Sequence, residues 1–467
     1  AFTRSILDRI RPLASLRREV ESTTAGIDLI QSYSFSGGRT FFEERAPSWR
    51  KIVDRADGVT HVEMRGSDFY LLSHKDAPTF KILRLREGGT AGTASVLLPA
   101  TSDRVIESIR AASDALYVVA THGSYSQILR MPVASGHIEE IPLPLRGHVT
   151  EAFSRPSEPG IAITLSSWLT PSSVYFYDPA RLAFEPRKLA KVTRHPNEYQ
   201  VSDSSALAGD GVAVPLTLIQ QRNIRGPAIT ILEAYGSYGT SLLADFNPRR
   251  MAALQKGITY GICHVRGGGE LGESWRLAGK DANKPNSWGD LIACAQDMVK
   301  HGVTTSERLF IFGGSAGGIA IGRALTERPD LFAGALDLVP IANPLRLEFS
   351  ANGPPNIPEF GTVADPAGFA NLYAMDTIQH LKRGVQYPAV MITAGLNDPR
   401  VEPWQPAKFA AALQATGSSN PTLLRLDERG GHGIGATKAQ TDSLTTDSIA
   451  FVLWRAGLEE WQPGGVP

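Results

Sequence analysis

The sequence predicts an α/β protein with two units: an amino-terminal array of short β-strands arranged like propeller blades, and a carboxy-terminal domain built on a mainly parallel sheet. Three observations carry this. The 467 residues exceed the roughly 250 to 300 at which a single core usually stops growing. Strand-like runs in the first half recur at an interval of 46 residues. In the second half, apolar strand-like runs alternate with helix-compatible segments and glycine-rich turns, the pattern of a sheet covered on both faces.

The elements follow in chain order. Residues 1–45 open with Ile6, Ile10, Leu13, Leu16 and Val20 at steps of four, three, three and four, one apolar face of a helix. This segment is expected to form a helical arm docked on the carboxy-terminal domain. Over residues 46–190 the repeat takes over. Lys81 to Leu85, Gln127 to Met131 and Ser173 to Tyr177 are its recurring runs, each preceded by another strand: Phe69 to Leu72, Leu116 to Val119 and Ile161 to Leu165. A period of about 40 to 50 residues with several strands per unit marks a propeller blade, whose sheet buries its faces only against its neighbours. Three blades are expected here, fewer than the about 4 to 8 of a closed ring, and Thr40 to Glu43 opens a partial fourth. Residues 191–467 form the α/β domain, with strands at Ala228 to Glu233, Ile258 to Val265, Leu309 to Phe312, Gly334 to Val339, Ala389 to Thr393 and Leu423 to Leu426.

Composition narrows the function classes. The 47 basic residues balance 47 acidic ones, so no global field draws nucleic acid or anionic lipid. No apolar run reaches the ~18 to 20 residues of a membrane span, and Ala1-Phe2-Thr3-Arg4 lacks the apolar core of a secretory signal. The chain reads as soluble, cytoplasmic or periplasmic, with no nucleic-acid or membrane partner. Its two cysteines, Cys263 and Cys294, are read as core thiols; they give neither a disulfide framework nor a zinc site.

The chemistry is concentrated in Leu309-Phe310-Ile311-Phe312-Gly313-Gly314-Ser315-Ala316-Gly317-Gly318, followed by a helix-compatible stretch. This satisfies G-x-S-x-G in the context of strand, sharp turn and helix that lifts a serine hydroxyl out of a sheet. Such an elbow requires an acid and then a histidine, each just after a later strand. Asp398 follows the strand ending at Thr393, and His432 follows the strand ending at Leu426. The order Ser, Asp, His at the carboxyl ends of parallel strands predicts the α/β-hydrolase fold. In it His432 takes the Ser315 proton and Asp398 fixes the imidazole tautomer. The Ala316 backbone N–H, at the helix start, faces a developing oxyanion. No metal and no organic cofactor is needed.

These residues resemble the prolyl oligopeptidase family over roughly Val192 to Pro463. The resemblance includes the three triad contexts and adds Arg266-Gly267-Gly268-Gly269-Glu270 with Gly272, Trp275, Gly279, Lys284, Asn286 and Asp290. That glycine loop lacks the Gly-Lys-Ser/Thr end of a P-loop and the helix-opening context of a dinucleotide fingerprint. The resemblance implies that Tyr235 is the second oxyanion donor and that Arg400 holds the substrate backbone. It also implies that Tyr238, Phe360 and Val401 line the proline pocket. Where the family stacks a tryptophan on the substrate proline, this chain has Asn356, so proline preference should weaken. The implied activity is serine-type hydrolysis of short peptides after proline or a small residue through an acyl-enzyme. An esterase or acylaminoacyl peptidase with the same triad is the alternative, and a propeller binding protein with a vestigial site is a further one.

Overall fold

The computed structural model describes residues 51–132, 137–187, 198–433 and 435–463, together with the backbone of the strands between residues 18 and 50. Four antiparallel four-stranded sheets occupy the amino-terminal part. They comprise Arg18–Ser22, Asp28–Ser32, Thr40–Arg45 and Ser48–Val53, then Val59–Arg65, Asp68–Ser73, Lys81–Arg86 and Ser95–Leu98. The third holds Val105–Ala111, Ala115–His122, Tyr125–Pro132 and Glu139–Ile141, and the fourth His148–Phe153, Ile161–Ser166, Ser173–Asp178 and Ala183–Arg187. The 46-residue repeat thus marks the third strand of the last three sheets.

Alternation along each strand explains the stacking. In Asp68–Ser73, Phe69 and Leu71 enter one apolar cluster with Val59 and Val62, while Tyr70 and Leu72 enter another with Ile106, Ile109 and Val118. A strand of period two whose faces are both apolar must lie between two neighbours.

Two expectations change at the amino terminus. Residues 18–22, 28–32 and 40–45 are strands of the first sheet, so the helix expected through Val20 does not extend there, and the division at 45/46 falls inside a blade. Ile6, Ile10, Leu13 and Leu16 lie outside the described residues. Among the described residues four sheets are therefore present where three and a fragment were expected. Thr40 to Glu43, read as the opening of a fourth unit, is indeed a strand of this first sheet; others, such as Arg18–Ser22, were hidden because they carry charged residues that also suit a helix surface.

The second part is built on one eight-stranded sheet: β1 (Tyr199–Leu207), β2 (Ala213–Gln221), β3 (Thr230–Glu233), β4 (Thr259–Cys263), β5 (Leu309–Gly314), β6 (Gly334–Leu338), β7 (Ala389–Gly395) and β8 (Thr422–Asp427). Their spatial order is β1-β2-β4-β3-β5-β6-β7-β8. From β4 onward every pairing is parallel, whereas β1 and β2 are antiparallel additions at one edge. β1 escaped the sequence reading because it runs through the polar Ser202-Asp203-Ser204-Ser205, exposed at the sheet edge, and offers no continuous apolar run.

Helices cover both faces. On one, α1 (Pro248–Gln255) and the carboxy-terminal helix Lys438–Arg455 bring Met251, Leu254, Phe451 and Val452 onto the sheet. On the other, α2 (Pro285–Lys300) and α3 (Gly318–Glu327) bring Leu291, Met298, Ile319 and Ile321. The same contact corrects the cysteine reading. Cys263 at the end of β4 and Cys294 on α2 are joined in a disulfide, their Cα atoms 6.2 Å apart. A separation of 31 residues gave no sign of it; only the seating of α2 on β4 makes the two side chains meet.

The blades rest directly on this domain. The Ser124 carbonyl accepts from Ala244 N–H at 2.9 Å, the Pro78 carbonyl from Glu273 N–H at 2.7 Å, and His148 meets Asp245 at 2.9 Å.

Candidate active site

The site stands at the carboxyl ends of the central strands, where parallel α/β sheets open their crevices. Ser315 follows β5 directly and takes a left-handed backbone conformation, φ 53°, rare for a residue with a Cβ. A tight turn from Ser315 to Gly317 then leads into α3. The glycines around it are required by contact. A Cβ on Gly314 would lie 2.4 Å from the Leu338 carbonyl oxygen of β6, and one on Gly318 would lie 2.4 Å from Pro340 Cβ. Neither neighbour can yield, so strand and helix approach this closely only without those side chains.

Asp398 lies in the turn after β7 and His432 in the loop after β8. The structure brings both to Ser315. His432 Nε2 is 2.9 Å from Ser315 Oγ, and His432 Nδ1 is 2.7 Å from Asp398 Oδ2. Both side chains are buried, Asp398 almost completely. Burial alone would push the Asp398 carboxyl up, but the hydrogen bond from His432 and those from the Val401 and Arg400 N–H groups outweigh it. The carboxyl is held below its ordinary range. Those two N–H groups reach Oδ1 at 3.0 and 2.8 Å, which aims Oδ2 at the imidazole.

Tyr235, just beyond β3, packs against Gly317 of the same turn, which sets its phenol beside Ser315. Burial raises the phenol above its ordinary range, with the positive charge of Arg400 and the Ser315 contact opposing, so it remains a donor near neutral pH. Ala316 is buried at the second position of the turn.

The remaining predicted residues surround this core. The Tyr238 and Phe360 rings meet edge to face with centroids 5.4 Å apart, and Val401 is buried beside Asp398. Tyr238 Oη donates to Asn356 Oδ1 at 2.5 Å, and Asn356 Nδ2 donates to the Asn352 carbonyl at 2.5 Å, so Asn356 fixes the tyrosine. Arg400 is exposed, and its charge acts on both Tyr235 and Tyr238. Glu402, the neighbour that could have paired with it, accepts from Trp404 Nε1 and the Ala351 N–H.

The glycine loop after β4 is scaffolding. Arg266 forks onto Asp290 of α2 at 2.6 to 3.1 Å and also reaches Asp210, while Glu270 accepts from the Leu242 N–H. Sequence reasoning did not single out Glu359. Its carboxylate is buried and accepts from the Tyr238 N–H at 2.7 Å, a role that only the fold reveals. Among the described residues no group of three or more His, Cys, Asp or Glu side chains could hold a metal ion, and no helix is long and apolar enough to cross a membrane.

An eight-stranded sheet of this order, with a serine at a strained elbow after β5, an acid after β7 and a histidine after β8, is an α/β-hydrolase fold carried behind propeller blades. Comparison with known proteins agrees across both parts. Residues 244–458 match the model of the prolyl oligopeptidase family, and residues 35–189 match that of the prolyl oligopeptidase N-terminal β-propeller domain. The chain belongs to the prolyl oligopeptidase family, whose members are serine-type hydrolases. It is 27% identical to a prolyl endopeptidase of Elizabethkingia meningoseptica over 86% of this chain and 57% of that protein. It is 28% identical to protease 2 of Moraxella lacunata over 87% of this chain and 60% of that one. Among solved structures, one from a study of two prolyl endopeptidases superposes with a TM-score of 0.89 at 25% identity, covering 95% of this chain and 66% of that chain. Oligopeptidase B from Trypanosoma brucei superposes at 0.85 with 27% identity, covering 94% and 66%. The chain thus spans somewhat under two thirds of the length of these relatives.

Proposed function

We propose that this chain is a serine peptidase that hydrolyses short peptides through an acyl-enzyme, with Ser315, His432 and Asp398 as its triad. The observation that carries the reading is the unbroken hydrogen-bonded line from Asp398 through His432 to Ser315, at 2.7 and 2.9 Å. A serine alcohol is a weak nucleophile until a base takes its proton. Here His432 Nε2 accepts that proton as Oγ attacks the substrate carbonyl, and the Asp398 carboxylate stabilises the imidazolium that forms. The oxyanion is received by the Tyr235 phenol and the Ala316 N–H; removing one such donor costs ~3 to 4 kcal/mol of barrier. His432 then returns the proton to the leaving amine, and water repeats the sequence on the acyl-enzyme.

Arg400, exposed and without a carboxylate partner in Glu402, holds the peptide backbone by its fixed fork of donors. The residue before the scissile bond enters the pocket of Tyr238, Phe360 and Val401. Asn356 is occupied by Tyr238 and provides no stacking face, so small residues compete with proline there. The names of the relatives, prolyl endopeptidase and oligopeptidase B among them, support peptides as substrates. The test is a cleavage profile on a peptide library with the Ser315→Ala protein as control. Cleavage after proline and small residues, abolished in the variant, is expected; retained hydrolysis by the variant refutes the nucleophile, and ester hydrolysis without amide cleavage refutes the peptidase.

A further inference from the structure

Lys284 is fully buried, one of the largest side chains so placed, and no step above uses it. It stands immediately before Pro285, at the amino end of α2, where the helix dipole is unfavourable to a cation. Burial alone should disfavour an ammonium there. Its contacts explain its presence. Nζ donates to the Gly236 carbonyl and to Ser237 Oγ at 2.6 Å, and lies 5.6 Å from the centre of the Phe360 ring.

Gly236 and Ser237 are the link between Tyr235 and Tyr238, and the link ends on a strained residue, Tyr238. Gly236 (φ 71°), Tyr238 (φ 59°) and Gly239 (φ 70°) all lie in the left-handed region. A Cβ on Gly236 would strike Val265 Cγ2 at 2.6 Å, so the turn is pressed against the loop after β4. Glu359 holds the far end through the Tyr238 N–H, and Ser287 of α2 donates to the Arg266 carbonyl at 2.6 Å below it. The glycines adopt this conformation freely, but Tyr238 carries a Cβ and keeps it only where surrounding contacts determine it.

We infer that Lys284 is a positioning residue of the hydrolytic site, clamping the Gly236–Ser237 backbone from beneath so that the Tyr235 phenol stands against Ser315. This rests on the proposed role of Tyr235 as oxyanion donor. Lys284 touches no reacting atom and acts through the tyrosine. The charged and titratable groups around it are Glu359, Arg276 and Lys280, with Tyr235 and Tyr238 on the turn itself and the Arg266–Asp290 pair along α2. Burial lowers the ammonium to about 8, with Glu359 opposing, in keeping with a cation retained against desolvation.

The test is a double-mutant cycle on the full chain with p-nitrophenyl acetate, whose acyl group is too small to engage the substrate pocket. Lys284→Met is expected to lower kcat by about 10- to 100-fold with KM changed less than about 3-fold. In a Tyr235→Phe background the same substitution should cost less than about 3-fold, because the group it positions is already gone. Ser237→Ala, a milder change that removes one acceptor, should show the same pattern at roughly 3- to 10-fold and decides the question if Lys284→Met fails to fold. Equal losses in both backgrounds, or wild-type kcat in the variants, overturn the inference. A wild-type chain that neither turns over the ester nor takes a fluorophosphonate label on Ser315 instead removes the triad reading itself, and the inference with it.

Discussion

Replacing Asp398 by Asn tests the arrangement at the point where geometry alone sets the outcome. The carboxylate accepts three hydrogen bonds, from the Arg400 and Val401 N–H groups on Oδ1 and from His432 Nδ1 on Oδ2. Asparagine has one accepting oxygen. If that oxygen serves the two backbone donors, its NH2 faces His432 Nδ1, which must then present a lone pair. The imidazole proton moves to Nε2, the atom 2.9 Å from Ser315 Oγ, and the base is lost. The opposite amide orientation sets NH2 against two backbone donors, so two contacts outvote one. A triad with the wrong tautomer loses about 10⁴ in kcat, equivalent to ~5.5 kcal/mol of barrier. The two backbone hydrogen bonds survive, so stability should change by only about 1 kcal/mol. Steady-state hydrolysis of a peptidyl p-nitroanilide, with the fluorophosphonate labelling rate of Ser315, measures the loss. A variant that folds and retains kcat within about tenfold of wild type would refute the reasoning, because Asp398 would not be setting the tautomer.

The other predictions concern the pocket and the buried lysine. Asn356→Trp supplies an aromatic face beside Tyr238 and Phe360 and should raise selectivity for proline over alanine before the scissile bond by roughly 2- to 12-fold, the equivalent of 0.5 to 1.5 kcal/mol; paired peptides differing only there give the ratio, and no change argues against stacking at this position. Lys284 is lowered from its ordinary 10.5 to about 8 in the folded chain. Below pH 8 both states carry the proton and its contribution is constant. Between about pH 8 and 10 the unfolded chain binds a proton that the folded chain has released, so stability relative to Lys284→Met should rise with pH, by up to about 3 kcal/mol. Urea unfolding of both proteins across that range reads the difference, and a flat or falling trend contradicts the burial argument.

Much of this site is written locally. The elbow around Ser315 is legible because a strained turn between strand and helix demands glycines at fixed offsets, and here a Cβ at either Gly314 or Gly318 would overlap its neighbour. Asp398 and His432 are legible because each follows an apolar strand in the required order. The strands β3 to β7 announced themselves as continuous apolar runs, since a strand covered on both faces needs apolar residues at every position, and β8 stood out through Leu423, Leu424 and Leu426 although it is the half-exposed outer strand. Edge strands need them on one face or neither, which is why β1, with its run of serines, and the charged strands of the first blade did not stand out.

By itself the sequence determined which residues could carry chemistry, the order in which they meet the sheet, and the period of the blades. Those are properties of neighbouring residues and of the two backbone periodicities. The tertiary structure alone decided that Cys263 and Cys294 pair, that the strands 18–22, 28–32, 40–45 and 48–53 form one further sheet, that Asn356 fixes Tyr238, and that Lys284 and Glu359 hold the turn between Tyr235 and Tyr238. Each of these joins groups far apart in the chain whose contact depends on how a helix seats on a sheet or a sheet finds its neighbour. That seating is settled by the packing of the whole interior, which no local window of residues contains.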